Sequence, residues 1–337
     1  METKHIQLDH GSGGLASQQL IEYLFLKHLE DHRLHQLEDA AVLQAIDGKL
    51  AFSTDSYVVD PLFFPGGNIG DLAINGTIND LAMQGADPLC LSLGLILEEG
   101  MDMEELDKIM ETIGTACKYA GVPVVTGDTK VVPKGKGDRI FINTSGIGKI
   151  FEDAHISVKN IRIGDAIILS GPVADHGITV LTSREGLEVG GDIRSDTRPL
   201  HFLVRKIIAA AGRDIHAMRD PTRGGLGTTL SEFAKATGLC VEIDEAAIPI
   251  RPEVRAACEL MGLDPLYLAN EGRCVVVCAA SQAEKIVQDM KGVKEGKNSA
   301  IIGKVTDKHP GRVVLTTISG GKRLVEPLTG EPLPRIC

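Results

Sequence analysis

The chain has 337 residues, with 46 acidic side chains against 35 Lys and Arg and a formal net charge of −11. That excess, with no local basic cluster to offset it, argues against a nucleic-acid surface. No apolar run reaches the length of a membrane span and residues 1–10 lack a signal-peptide core, so a soluble, cytoplasmic protein without a membrane partner is expected.

The length suits two domains, each able to bury its own core. His10-Gly11-Ser12-Gly13-Gly14 opens the chain ahead of an amphipathic segment over 15–29, whose apolar side is Leu20, Ile21, Leu24, Phe25 and Leu29. A glycine-rich turn before a helix frees backbone N–H groups for phosphate, although such a cluster alone is more often a flexible leader. Residues 39–46 and 49–59 read as strands joined into a hairpin by Asp47-Gly48. Asp39 and Asp55 interrupt those strands against propensity.

Residues 70–86 are patterned as a helix, with Ile74, Ile78, Leu81 and Ala82 on one stripe, yet contain poor helix formers such as Gly76 and Thr77. Asp71, Asn75 and Asn79, with Asp80 one step round, line a second face with short oxygen-bearing groups. One reading is a weak surface helix held by packing; the other is a face kept short because something packs there, such as magnesium and phosphates. A strand at 89–97, a helix at 102–120 and a strand at 122–126 follow, the last running into Gly127-Asp128-Thr129-Lys130. Ligand sites of α/β proteins gather at such strand ends. A strand at 140–150 closes the first domain, and edge strands at 49–59 and 140–150 that one domain would leave unpaired predict a homodimer.

After Gly164-Asp165, strand and helix signals alternate to about residue 318, which fits an α+β sandwich. Asp220-Pro221-Thr222-Arg223-Gly224-Gly225 leads into an amphipathic helix; the turn suits an anion beside Arg223, or equally a helix cap with a surface arginine. His176, in the loop 171–177, is by itself more often structural than catalytic. Cys274 and Cys278 share one face of a strand but lie too far apart to bridge, and the scattered cysteines read as reduced thiols. Pro327, Pro332 and Pro334 make the end an extended arm expected to be mobile, whose nine residues 329–337 reach about 28 Å at roughly 3.1 Å each. The expected division is 1–153, 154–325 and a tail, 326–337, that ends in Cys337.

Asp39, Asp55, Asp80 and Asp128 are four carboxylates of the first domain, matched nearby only by Lys130. Brought together they would repel unless a hard cation intervened, and magnesium prefers carboxylates plus substrate phosphates. The pattern is neither a P-loop nor a kinase signature set.

Glu38-Asp39-Ala40-Ala41-Val42, Ser53-Thr54-Asp55, the segment 79–86 and Gly127-Asp128-Thr129 resemble the acidic motifs of the superfamily of aminoimidazole ribonucleotide synthetase, selenophosphate synthetase and thiamin-monophosphate kinase. Within it, His10 to Gly14, residues 52–57, residues 60–68, residues 127–132 and the terminal Pro334-Arg335-Ile336-Cys337 resemble the HypE family of hydrogenase maturation proteins over essentially the whole chain. The resemblance implies a two-domain, PurM-like α+β fold, with an N-terminal mixed sheet that forms a barrel across a homodimer and a C-terminal α/β sandwich. It implies ATP at the N-domain cleft, with Asp39, Asp55, Asp80 and Asp128 as magnesium ligands and Gly11, Gly13, Gly14, Asn75 and Arg223 as further contacts. It implies a carbamoyl group, delivered by the carbamoyltransferase HypF, held on Cys337 as a thiocarboxamide and dehydrated with ATP to a thiocyanate. The cyanide would pass to iron on a HypC–HypD complex. Loss of phosphate from an activated amide needs a base, for which Glu271 is the candidate; Lys130 and His176 are candidates for phosphate stabilisation and proton relay. Two alternatives remain: a selenophosphate synthetase-like enzyme, disfavoured because no cysteine precedes Cys90, and a non-catalytic nucleotide-gated scaffold.

Overall fold

The helix read from residues 70–86 is the pivot of the first half, and its odd composition follows from its burial. In the computed structural model, which describes residues 3–187, 190–328 and 335–337, only Asp71 and Asp80 of this helix escape full burial. The elements up to that point are α1 (Leu15–Leu20), which continues through a π turn into α2 (Leu26–His28), then β1 (Leu50–Tyr57), β2 (Phe63–Phe64), β3 (Gly67–Asn68) and the helix itself, α3 (Ile69–Met83). Asn68 caps α3 by accepting from the Gly70 N–H at 2.7 Å, while Asp71 accepts from the Asn68 N–H at 2.9 Å. Gly76 is there to admit a neighbour: a Cβ would stand 2.4 Å from the Tyr57 hydroxyl. Thr77 satisfies that buried hydroxyl at 3.2 Å and the Thr144 hydroxyl at 2.6 Å. Helix propensity has yielded to tertiary packing.

The half is completed by β4 (Ala86–Glu98), α4 (Met103–Ala120), β5 (Val124–Val132) and β6 (Ile140–Ile150). Its sheet is mixed, in the order β1-β6-β4-β5, with β4 and β5 parallel and the other pairs antiparallel. The expected hairpin does not form: residues 39–46 are not a strand and are almost wholly exposed, and β1 pairs with β6 instead. With β6 on one side of β1, residues 39–46 find no hydrogen-bonding partner within the described chain. Nor is β6 an edge, since it lies between β1 and β4; the edges are β1 and β5. One face of the sheet carries α3. The other is open, with Phe52 70% and Ile96 43% exposed.

The second half comprises β7 (Ala166–Leu169), α5 (Asp175–Glu185), α6 (His201–Ala211), β8 (Ile215–Arg219), α7 (Gly225–Thr237), β9 (Cys240–Asp244), α8 (Pro252–Met261), β10 (Val275–Cys278), α9 (Ala283–Lys291), β11 (Ala300–Thr306), β12 (Val313–Thr316) and β13 (Lys322–Leu324). The seven strands run β13-β12-β9-β11-β7-β10-β8. Alternation along β7 and β10 divides the apolar residues between two layers. Ile167, Leu169, Val275 and Val277 meet Leu226, Leu230 and Phe233 of α7, while Ile168 and Val276 meet Leu203 and Ile207 of α6 and Ile286 of α9. Cys274 and Cys278 share the second layer as free thiols, and burial pushes both up to about 12. This is the expected sandwich. No described helix is long and apolar enough to cross a membrane. Residues 329–334, with Pro332 and Pro334, lie outside the described residues.

Candidate functional site

Asp80 occupies the point where α3 is not covered by protein. The Ser53 hydroxyl donates to it at 2.7 Å, and Asp55 lies two residues farther along the same face of β1. From the second half, Asp220 follows β8 directly, and Arg223 precedes the Gly224-Gly225 turn that opens α7 with positive φ angles of 76° and 61°. Ser53, Asp80, Asp220, Thr222, Arg223 and Thr228 line a cleft of about 630 Å³. Burial, then the negative charge of Asp80, raises Asp220 to about 7. Burial also raises Asp80, against the Ser53 hydrogen bond, with Asp55 adding to the rise.

Glu271 closes the cluster from the Asn270-Glu271-Gly272 loop. Asn270 fixes the loop by accepting from the Ala174 N–H at 2.8 Å and donating to the Pro221 carbonyl at 2.8 Å. Asp196 accepts from the Glu271 and Gly272 N–H groups at 3.1 and 3.2 Å, and Asn79 donates to the Glu271 carbonyl at 3.2 Å. Gly272 is required sterically, because a Cβ would fall 1.9 Å from the Asp196 carbonyl oxygen. Glu271 itself is buried, its Oε1 has no partner, and burial followed by the charges of Asp220 and Asp196 holds it well above the usual carboxylate range.

The last three residues are docked along the segment 58–60. Val58 N–H donates to a main-chain carboxylate oxygen of Cys337 at 3.1 Å and Asp60 N–H to the Arg335 carbonyl at 3.2 Å, so the tail adds a short antiparallel segment beside Val59. Ile336 is buried in the first-half core. The Cys337 thiol, partly buried, is pushed up by burial and by Glu271, and drawn down by Arg223. His176, fully buried, has both ring nitrogens engaged, Nδ1 with the Ser195 hydroxyl and Nε2 with the Ile336 carbonyl, each at 2.8 Å. With Nε2 on a main-chain carbonyl, the ring holds the tail.

The remaining candidates lie elsewhere. Asp128 faces the open side of the β-sheet, opposite α3, and is held by Lys130 at 2.8 Å. Gly11, Gly13, Asp128 and Lys130 line a separate cleft of about 450 Å³ whose floor includes Leu20, Phe25, Leu93 and Leu95. Gly14 caps α1. Gly11 cannot carry a side chain, since a Cβ would lie 2.4 Å from the Val131 nitrogen. Asp39 is exposed in the unpaired segment. The four-aspartate cluster therefore does not assemble within one chain: the sheet separates Asp55 and Asp80 from Asp128. The short polar face of α3 also serves a different purpose from the one expected. Asn79 donates to the Arg198 and Glu271 carbonyls and accepts from the Leu200 N–H, while Asn75 donates to Thr197 at 3.2 Å. That face receives the second half of the chain, and Asp80 alone is left to the cleft. Asp220 and Arg184 were not singled out from the sequence. Asp220 had a signal in its glycine-rich turn, whereas Arg184 has none.

Among the described residues, no three His, Cys, Asp or Glu side chains stand close enough to hold a metal by themselves. Magnesium needs only one or two carboxylates when phosphates complete its shell, and Asp55, Asp80 and Asp220 are a hard, oxygen-only set that fits this need.

These features define an AIR synthase related architecture. The model of the AIR synthase related protein N-terminal domain matches residues 37–150, and that of the C-terminal domain matches residues 162–316. The carbamoyl dehydratase HypE of Azotobacter vinelandii is 50% identical over 98% of this chain and 97% of its own length. The solved structure of hydrogenase maturation protein HypE in complex with ATP superposes with a TM-score of 0.94 at 48% identity, covering 98% of this chain and 99% of that one. A structure of a HypE–HypF complex matches at 0.81 and 46% identity, covering 92% and 99%. The chain belongs to the HypE family of hydrogenase maturation proteins.

Proposed function

We propose that this chain is an ATP-dependent carbamoyl dehydratase that converts a thiocarboxamide on Cys337 to a thiocyanate, the source of cyanide for the iron of a nickel-iron hydrogenase. The observation that carries this reading is the docking of residues 335–337 beside Val59, which leaves the Cys337 thiol within the electrostatic reach of Glu271 and of Arg223, a residue of the acidic cleft. A related HypE is solved with HypF, which supports HypF as the source of the carbamoyl group; a HypC–HypD complex is the proposed acceptor.

The carbamoyl oxygen is a poor leaving group. It attacks the γ-phosphorus of ATP, ADP departs, and the nitrogen loses one proton to leave an O-phosphorylated imidate on sulfur. Removal of the second nitrogen proton then breaks the C–O bond, releasing phosphate and leaving S–C≡N. Magnesium, when bound, supplies charge neutralisation for the phosphoryl transfer. One or two of Asp55, Asp80 and Asp220 would hold it, with phosphate oxygens completing its shell. Arg223 and the N-terminus of α7 would stabilise departing phosphate. Glu271 is the proposed base for the nitrogen protons, a role supported by its unpaired Oε1 and its pKa, raised by burial. Asp80→Asn is expected to keep the fold and weaken magnesium-dependent ATP binding by about tenfold or more, since a contact to a charged group contributes about 1.5–3 kcal/mol. Calorimetric titration checks it, and unchanged affinity would remove the acidic cleft from the nucleotide site.

The protein is proposed to act as a homodimer through the open face of the first sheet. Phe52 and Ile96 are exposed apolar residues on that face, which also carries Asp128 and Lys130 and would be covered by a second copy. Pairing two copies would shield the apolar residues and bring the glycine-lined cleft of one chain toward the acidic cleft of the other. Phe52→Asp should yield a monomer by light scattering; an unchanged mass would place the interface elsewhere.

A further inference from the structure

We propose that Arg184, acting with His176, is a positioning residue that clamps the tail by its main chain and so presents the Cys337 thiol to Glu271. This rests on the reading that Cys337 carries the reacting group. Both residues belong to α5 and lie eight positions apart, close to two turns, so they project from one side of the helix. The Arg184 guanidinium donates from Nη2 to the Arg335 carbonyl at 2.7 Å and from Nε to the Asp60 carbonyl at 2.9 Å, stapling the tail to the segment it pairs with. The Ile336 carbonyl can only accept, so His176 Nε2 carries the proton, and Nδ1 must then accept from the Ser195 hydroxyl. The Val58 and Asp60 N–H groups donate to a main-chain carboxylate oxygen of Cys337 and to the Arg335 carbonyl. Each of the last three residues is thus held through its backbone, as in strand addition to a receptor edge.

Side chains contribute unequally to the dock. Ile336 is 3% exposed and fills a core position. Arg335 reaches Asp60 and Asp138, all three substantially exposed, and ion pairs of that kind contribute little. Neither the acidic cleft nor the glycine-lined cleft includes Arg184, so its effect on the reaction must pass through the tail.

The test uses the full-length chain and two independent readouts. The first is the rate at which a neutral maleimide labels Cys337; the other six cysteines are buried. The second is the rate at which a tail carbamoylated by HypF loses water with ATP. Arg184→Leu should label about tenfold faster or more and dehydrate slower by a similar factor, the expected effect of losing a charged hydrogen bond, with loading undiminished. Arg184→Lys, which keeps a donor, should fall between, and Arg335→Ala should match the parent chain. Unchanged labelling in Arg184→Leu overturns the clamp, as does an Arg335→Ala chain that behaves like Arg184→Leu. Labelling involves no carbamoyl chemistry, so a parent chain that labels slowly yet never dehydrates would overturn the functional reading while the labelling series still decides the clamp.

Discussion

Cys337→Ala is expected to fold and bind ATP as the parent chain does, yet carry neither a carbamoyl nor a cyano group, a complete loss of the overall reaction. The other cysteines cannot substitute. All six are buried, and burial raises Cys117, Cys274 and Cys278 to about 12 and Cys258 to about 11, which leaves them inert as nucleophiles. Cys337 differs in being able to sit at the acidic loop. Docked, its thiol is also pushed up, by burial first and then by Glu271, so thiolate is disfavoured there. The Arg335 side chain turns to Asp60 and Asp138. Arg223 is the cation that acts on the thiol. Intact mass after incubation with HypF, carbamoyl phosphate and ATP, beside calorimetry with ATP, checks both halves of the expectation. Parent levels of cyanide transfer by Cys337→Ala would refute it.

Glu271→Gln should separate loading from chemistry. The variant keeps the shape of a side chain that is neutral when protonated, so folding and carbamoylation should persist, while dehydration falls by about 10²–10⁴-fold, the usual contribution of a general base. The pH dependence has a defined sign. Burial raises the Glu271 pKa, and only the deprotonated form can accept a proton, so the parent rate should rise with pH through that raised value. In Glu271→Gln this rise should vanish. Single-turnover quench experiments across pH, read by the mass of the C-terminal peptide, measure both effects. An unaltered profile would assign the base to another group.

The sequence was most legible where periodicity and burial coincide. The α3 stripe, the β4–α4–β5 succession and the β7 and β10 runs all follow from apolar spacing that the two cores absorb. It misled at residues 39–46, where Asp47-Gly48 looked like a hairpin turn: strand pairing is a nonlocal choice, and β6, nearly a hundred residues away, takes the edge of β1. The polar face of α3 was correctly read as a contact surface, but composition could not distinguish phosphate from the Thr197, Arg198 and Glu271 segment that packs there. Of the four aspartates grouped from the sequence, Asp55 and Asp80 lie on one side of the sheet and Asp128 on the other, because strand-end carboxylates carry no mark of which face they will take. Arg184 was invisible for a simpler reason. An arginine in the last turn of a helix reads as favourable to the helix dipole, and its carbonyl partners on the tail leave no side-chain pattern.

The central claim is that Cys337 carries the group that is dehydrated. Mass spectrometry of the C-terminal peptide, after incubating the full-length chain with HypF, carbamoyl phosphate and ATP, tests it most directly. The account predicts a carbamoyl adduct on Cys337 that loses one water when ATP and magnesium are present and keeps it when they are withheld. An unmodified Cys337 in a chain that still supplies cyanide to iron, or an adduct that never loses water, would contradict it.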